Sequence, residues 1–299
     1  MPRTLIVAAA QTGSVEQDEP VGQIVSRLID LLYSAHARGA RLVVFPELAL
    51  TPFFPYAFIE DDRELDTYFH RSMPDDATRP LFQAAAELGV AFNLGYAELA
   101  EGSEGPVRFN SSILVGPDGT IVSRYRKIHL PGFMEPNPDH PFCMLEKRYF
   151  EVGDIDLPVA ELLGAQIGLC ICNDRRWPEV YRTLRRGGGE VVLLGYNTPT
   201  HNPLLPEADH LIGFHNHLNL QAGALQNGLW VVATAKAGRS FGVEQIAGSC
   251  IVSPSGEIVA QAATNQDEVV TAAIDLDLAQ RYQQRSFTVF ADPQPHTYR

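Results

Sequence analysis

The chain has 299 residues, 45% of them hydrophobic, enough to bury a large core in one big domain or two small ones. Twenty-three Lys and Arg stand against 36 Asp and Glu, a formal charge of −13 whose field repels nucleic acid and anionic membranes, so neither is an expected partner. No stretch of about 18 consecutive apolar residues occurs, so no transmembrane helix is expected.

Strand-like runs alternate with helical patterns along the chain. A strand is expected at 5–11; the run is short and leads into Gln-Thr-Gly, which argues against a signal peptide. A helix follows near 21–38, where Ile24, Leu28, Leu31 and Leu32 recur at helical spacing, and then a strand at 42–45. The pattern continues with a helix at 78–88 and strands at 91–98, 112–115, 121–126 and 166–171. Next come a helix at 178–186, a strand at 191–194, a helix at 208–226, and strands at 229–235 and 269–276. No Ser/Gly/Pro linker or charge run divides this α/β pattern, so one domain over 1–299 is the economical reading. Four cysteines at irregular positions form no disulfide framework and no CxxC pair, which fits a reducing cytoplasm.

One segment echoes another. Residues 112–122 read SILVGPDGTIV and residues 249–259 read SCIVSPSGEIV, identical at six of eleven positions and offset by 137 residues. Each is a strand, a Pro-x-Gly turn and a strand, the chemistry of a hairpin. The offset is nearly half the chain, which implies two related halves, each with a sheet.

Residues 166–178 read QIGLCICNDRRWP. An apolar strand stops at Cys172, and Trp177-Pro178 resembles the first turn of a helix. A thiol at a strand-to-helix junction meets unpaired backbone N–H groups and the positive end of a helix dipole, so its pKa is expected to fall. Arg175 and Arg176 supply a local positive site suited to a carboxylate on the substrate. Cys170 is expected to share a face with Cys172 deeper in the strand, and Cys143 and Cys250 read as small core hydrophobes. Two further groups end strands. Glu47 directly follows Val-Val-Phe-Pro, where partial burial would raise its pKa towards that of a useful base; the alternative is a surface glutamate opening a loop. Lys127 could hold positive charge near a developing oxyanion, or be a solvated lysine in a basic patch.

The words FPEL around Glu47, YRKIHLPG around Lys127 and ICNDRRWPE around Cys172 resemble the Glu-Lys-Cys motifs of the nitrilase (carbon–nitrogen hydrolase) superfamily. VFPELALTPFFP, FNLGYAEL, LEKRYFE, GYNTPTHNP and QAGALQNG are similar to the N-carbamoyl-D-amino acid amidohydrolases within it. The resemblance implies a four-layer α-β-β-α sandwich of two pseudo-symmetric halves, assembled as a homo-oligomer (dimer or tetramer). It implies a cofactor-free, metal-free hydrolase that turns N-carbamoyl-D-amino acids into D-amino acids, ammonia and carbon dioxide. Cys172 would attack, Glu47 would relay protons, and Lys127 with the Asn173 N–H would hold the oxyanion. Glu146 would be a second glutamate beside them, Arg175 and Arg176 would grip the carboxylate, Asn197 and Thr198 would line the pocket, and His129 and His215 would support it from behind. Residues 132–146 depart from the pattern, with Met144 where similar enzymes carry histidine. His215-Asn216-His217 also spells His-x-His, but on a helix the two rings point about 200° apart and cannot share a metal ion. A β-ureidopropionase, a carbamoyl-polyamine hydrolase, an aliphatic amidase and a non-catalytic scaffold of the same fold are the alternatives.

Overall fold

The computed structural model describes residues 3–103 and 105–284. Its elements are β1 Thr4–Gln11, α1 Val21–Ala37, β2 Leu42–Val44, α2 Asp62–Asp66, α3 Arg79–Leu88, β3 Ala91–Gly102, β4 Gly105–Val115 and β5 Ile121–Arg126. There follow α4 Glu146–Tyr149, β6 Val159–Leu162, β7 Ala165–Ile171, α5 Pro178–Arg186, β8 Val191–Tyr196, α6 Ile212–Asn227 and β9 Trp230–Ala235. The two-residue strands β10 Arg239–Ser240 and β11 Val243–Glu244 precede β12 Cys250–Val252, β13 Ile258–Gln261, β14 Glu268–Asp275 and α7 Leu276–Gln283.

Two six-stranded sheets result, ordered β14-β1-β2-β3-β4-β5 and β6-β7-β8-β9-β12-β13. Read in those directions, both pair antiparallel, parallel, parallel, antiparallel, antiparallel. The two halves are therefore related as the repeated hairpin implied. SILVGPDGTIV forms β4 and β5, SCIVSPSGEIV forms β12 and β13, and the register slips at the matching place in each, Leu114/Val115 and Ile251/Val252.

Side-chain alternation builds the layers. From the first sheet Val7, Ala9, Leu42 and Val44 join the core that contains the second sheet, whereas Ala8, Ala10, Val43 and Phe45 pack with Leu28, Leu32, Leu81 and Phe82 of α1 and α3. Val180, Tyr181 and Leu184 of α5 and Leu220 and Ala224 of α6 cover the second sheet. The architecture is the α-β-β-α sandwich. An aromatic cluster of Phe53, Phe54, Tyr56, Phe69, Tyr149 and Phe150 gathers the loops at one end.

Most expected elements are present, several of them longer. β4 starts at Gly105 rather than 112 because its polar residues still pair with β3, Phe109 against Glu98 and Arg108 against Leu99. The helix expected at 208–226 begins as a 3-10 turn over Pro206–Leu211 before α6. Strand β6 and the one-turn helix α4 went unread, being too short for periodicity to show.

Two glycines fix how closely the halves approach. A Cβ on Gly95 of β3 would stand 2.7 Å from Glu47 Cα, and one on Gly195 of β8 would run into the Glu47 nitrogen. The Pro46–Glu47 backbone is thus pinched between one glycine from each sheet. Gly195→Ala must push this strand end aside, and we expect a loss of about 1–3 kcal/mol of stability, read as a lower Tm in thermal unfolding.

Candidate active site

Glu47, Lys127, Glu146 and Cys172 come together between the strand ends although they arise from four separate segments. Lys127 is fully buried, its Nζ 2.7 Å from Glu47 Oε1 and 2.5 Å from Glu146 Oε2. Asn110 on β4 donates to Glu47 Oε1 at 2.8 Å, and the Asn197 N–H and Nδ2 each donate to Oε2 at 3.0 Å.

Burial was expected to make Glu47 a weaker acid. Desolvation does push it up, but the Lys127 charge and the hydrogen bonds from Asn197, Lys127 and Asn110 outweigh it and hold the carboxyl below its usual range. Glu146 is the carboxyl whose pKa rises. Burial lifts it to about 7; Lys127 opposes the rise and the Glu47 charge adds to it. Lys127 remains protonated, because the Cys172, Glu146 and Glu47 charges overcome its desolvation and raise its pKa.

Cys172 opens a 3-10 turn, Cys172–Arg176, with φ +45°, a left-handed conformation uncommon for a side-chain-bearing residue. Asp174 holds the turn. Its Oδ2 accepts from the Ile171 N–H and the Tyr125 hydroxyl, both at 2.9 Å, and its Oδ1 bonds the His129 ring at 2.8 Å. The flip also ends the strand's alternation. Gly168 faces Leu184 of α5, which puts Cys170 on the helix side, whereas Cys172 lines the cleft, so the two thiols do not share a face. The expected fall in the Cys172 pKa is corrected as well: burial and the Glu47 charge push it up to about 11, against the pull of Lys127 and Arg175. A five-residue turn offers only a short dipole, and the thiol is buried. Its Sγ donates to the Asn197 carbonyl at 3.2 Å.

The cleft above Cys172, about 430 Å³, is lined by Phe53, Tyr56, Met144, Glu146, Asn173, Arg176, Asn197 and Thr198, among others. The two arginines part company here. Arg176 lines the cleft, and the adjacent Arg175 charge, followed by desolvation, lowers its pKa to about 10. Arg175 is buried and its donors are already engaged: Nε with Asn216, Nη1 with the Cys172 carbonyl and Nη2 with Thr198, all within 2.8 Å, while the guanidinium lies over Tyr196. It braces the cysteine turn and is not among the residues lining the cleft, although its Nη1 also reaches Cys172 Sγ at 3.6 Å.

His129 sits behind the site, bonded to Asp174 and stacked on Trp177. His215 does not. It is exposed on α6, and the residue that α6 turns inward is its neighbour Asn216, one helical step of 100° away. Among the described residues no group of three His, Cys, Asp or Glu side chains could hold a metal ion. Nor is any helix among them long and apolar enough to cross a membrane. The sequence reading missed Asn110, Asp174 and Asn216; an Asn in a strand of apolar neighbours and an acid two residues after the thiol were the available signals.

The chain matches the carbon-nitrogen hydrolase family over residues 6–284. It belongs to that family. It is 32% identical over 254 residues to a nitrilase from Pyrococcus abyssi, covering 85% of this chain and 84% of that one. It is 31% identical over 282 residues to an N-carbamoylputrescine amidase from Arabidopsis thaliana, covering 90% and 86%. A carbon-nitrogen hydrolase from Helicobacter pylori G27 has the same fold, with a TM-score of 0.82 at 20% identity over 99% of this chain and 97% of the other. The protein is therefore a hydrolase acting on carbon–nitrogen bonds.

Two measurements check the electrostatics. Alkylation of Cys172 by iodoacetamide should climb about tenfold per pH unit from pH 7 to 10 without levelling off, because the thiolate fraction rises towards a pKa of about 11. A plateau near neutral pH would contradict the account of a thiol pKa raised by burial and by Glu47. Glu146 binds its proton more tightly folded than unfolded, so its contribution to stability is complete below about pH 4.5 and lost as pH rises through about 7. Glu146→Gln, which imitates the protonated form, should flatten that part of the stability–pH curve in denaturant titrations.

Proposed function

We propose that the protein hydrolyses N-carbamoyl-D-amino acids to the free D-amino acid, ammonia and carbon dioxide, with no cofactor. The observation that carries this reading is Arg176, a guanidinium on the wall of the cleft that holds Cys172. A carboxylate there would gain a charge-assisted hydrogen bond, whereas a polyamine tail would meet a like charge and a simple amide would leave the group unused. The D-hand rests on the sequence resemblance alone.

In the proposed sequence Glu47 takes the Cys172 proton as the thiolate attacks the ureido carbon. The carbonyl oxygen becomes an oxyanion, stabilised by Lys127 and the Asn173 N–H. Glu47 returns the proton to the departing nitrogen, leaving a carbamoyl thioester on Cys172. Water, deprotonated by Glu47, attacks the carbamoyl carbon and expels the sulfur, which takes the proton back as the thiol. The carbamic acid released breaks down to carbon dioxide and the remaining nitrogen product. As the pH falls through about 7 Glu146 takes up a proton, the cluster then holds one negative and one positive charge at rest, and Glu47 keeps the role of the base.

A second cleft of about 730 Å³ shares Met144, Arg176, Thr198 and Pro199 with the first and adds Phe133, Leu204 and Ile212. We read it as the seat of the amino acid side chain, with Arg176 between the two clefts holding the carboxylate. Large apolar side chains suit such walls. A homo-oligomer of this chain is part of the same reading.

Ammonia release should be seen with N-carbamoyl-D-phenylalanine and not with the L-form, N-carbamoyl-β-alanine or N-carbamoylputrescine, and Cys172→Ala should abolish it. Turnover of N-carbamoylputrescine instead would overturn the reading. Arg176→Met should raise KM about 10–100-fold with little effect on kcat, in line with the loss of one charged hydrogen bond.

A further inference from the structure

We propose that Lys236 is a positioning residue for carbon–nitrogen hydrolysis: it braces the turn after Glu47 and so sets where that carboxylate stands. The proposal is independent of the substrate reading above.

Lys236 follows β9 directly and is almost wholly buried. No step described so far uses it. Its Nζ donates to the Leu48 carbonyl at 2.8 Å and to the Thr51 carbonyl at 2.5 Å. Leu48, immediately after Glu47, has φ +47°, a conformation an L side chain adopts only when its surroundings impose it. What imposes it is visible. Thr51 N–H bonds Leu48 O at 3.2 Å, Ala49 N–H bonds Gly95 O at 2.8 Å, and the ammonium gathers the Leu48 and Thr51 carbonyls on one point.

The position of Lys236 gives the brace its reach. Its backbone N–H bonds Tyr196 O of β8 at 3.0 Å, and it bridges to Thr12 at the end of β1. One residue therefore touches both sheets and the turn that carries Glu47. The thiol belongs to the second half of the chain and the base to the first, so their separation depends on ties of this kind. Asn197 provides another, donating to the Glu47 carbonyl from Nδ2 at 3.0 Å. A methyl group in place of the ammonium would leave two buried carbonyls without that donor and free the strained turn to relax.

Burial lowers the Lys236 pKa to about 7, yet the brace does not depend on charge. A neutral amine still has two N–H donors for its two carbonyls.

The test is Lys236→Met, with Lys236→Gln as the milder variant because its amide ends one atom short and can serve one carbonyl. Two readouts are used. Hydrolysis of N-carbamoyl-D-phenylalanine should lose about 100-fold in kcat with KM unchanged for the Met variant, the cost of a misplaced reacting group, and less for Gln. The pH profile of Cys172 alkylation by iodoacetamide needs no substrate. It should shift to lower pH, because Glu47 raises the thiol pKa and a displaced carboxylate raises it less. A failed substrate reading would silence the first readout in wild type and leave the second intact. A folded variant with kcat within twofold of wild type and an unshifted alkylation profile overturns the proposal. So does loss of fold in both variants, which would assign Lys236 to stability alone.

Discussion

Two carboxylates and one ammonium are buried together, and that charge balance governs the centre of the molecule. Lys127 cannot neutralise Glu47 and Glu146 at once, and like charges so close cannot both remain ionised cheaply. The hydrogen bonds settle which gives way. Glu47 receives donors from Lys127, Asn110 and Asn197 on both its oxygens, whereas Glu146 is served by Lys127 and a long contact from Asn110. The better-partnered acid keeps its charge, and the poorer one is the acid whose pKa rises, to about 7. The division of labour between base and neutral partner follows from donors supplied by strand ends, two of them from the opposite half of the fold.

The strained residues lie where that balance has to be aimed. Leu48 and Cys172 both have positive φ, one just after the base and one at the nucleophile. Each is held by a buried basic side chain whose donors go to backbone carbonyls: Lys236 for the first, Arg175 for the second. Arg175 and Lys236 thus act on the frame, whereas Arg176 lines the cleft.

What could be read beforehand was whatever local pattern records. The strand ends at Glu47, Lys127 and Cys172, the helix 178–186 and the paired hairpins were all visible as periodicity or turn chemistry, and the hairpins carried the two-sheet architecture with them. Protonation states were not visible. Whether burial or partners win at Glu47 depends on Asn110 and Asn197, which are 63 and 150 residues away. The same limit explains Arg175 and His215. Neighbouring arginines look alike in a string of letters, but a 3-10 turn sends one inward and one to the cleft. His215 and Asn216 likewise differ by one step of helix phase, and only packing fixes that phase.

The sheet order has a bearing on how the protein is made. β1 is hydrogen-bonded on one side to β2, close by in sequence, but on the other to β14, so that Thr4 waits for Asp275. The second sheet has no such debt, because β6 and β7 are adjacent hairpin partners. During synthesis the second sheet can close as its strands emerge, while the older first sheet carries an open edge until β14 has emerged. An unpaired, apolar strand edge is a template for other chains. β1 is therefore sealed only once β14 has emerged, and its exposure time is set by the length of everything between.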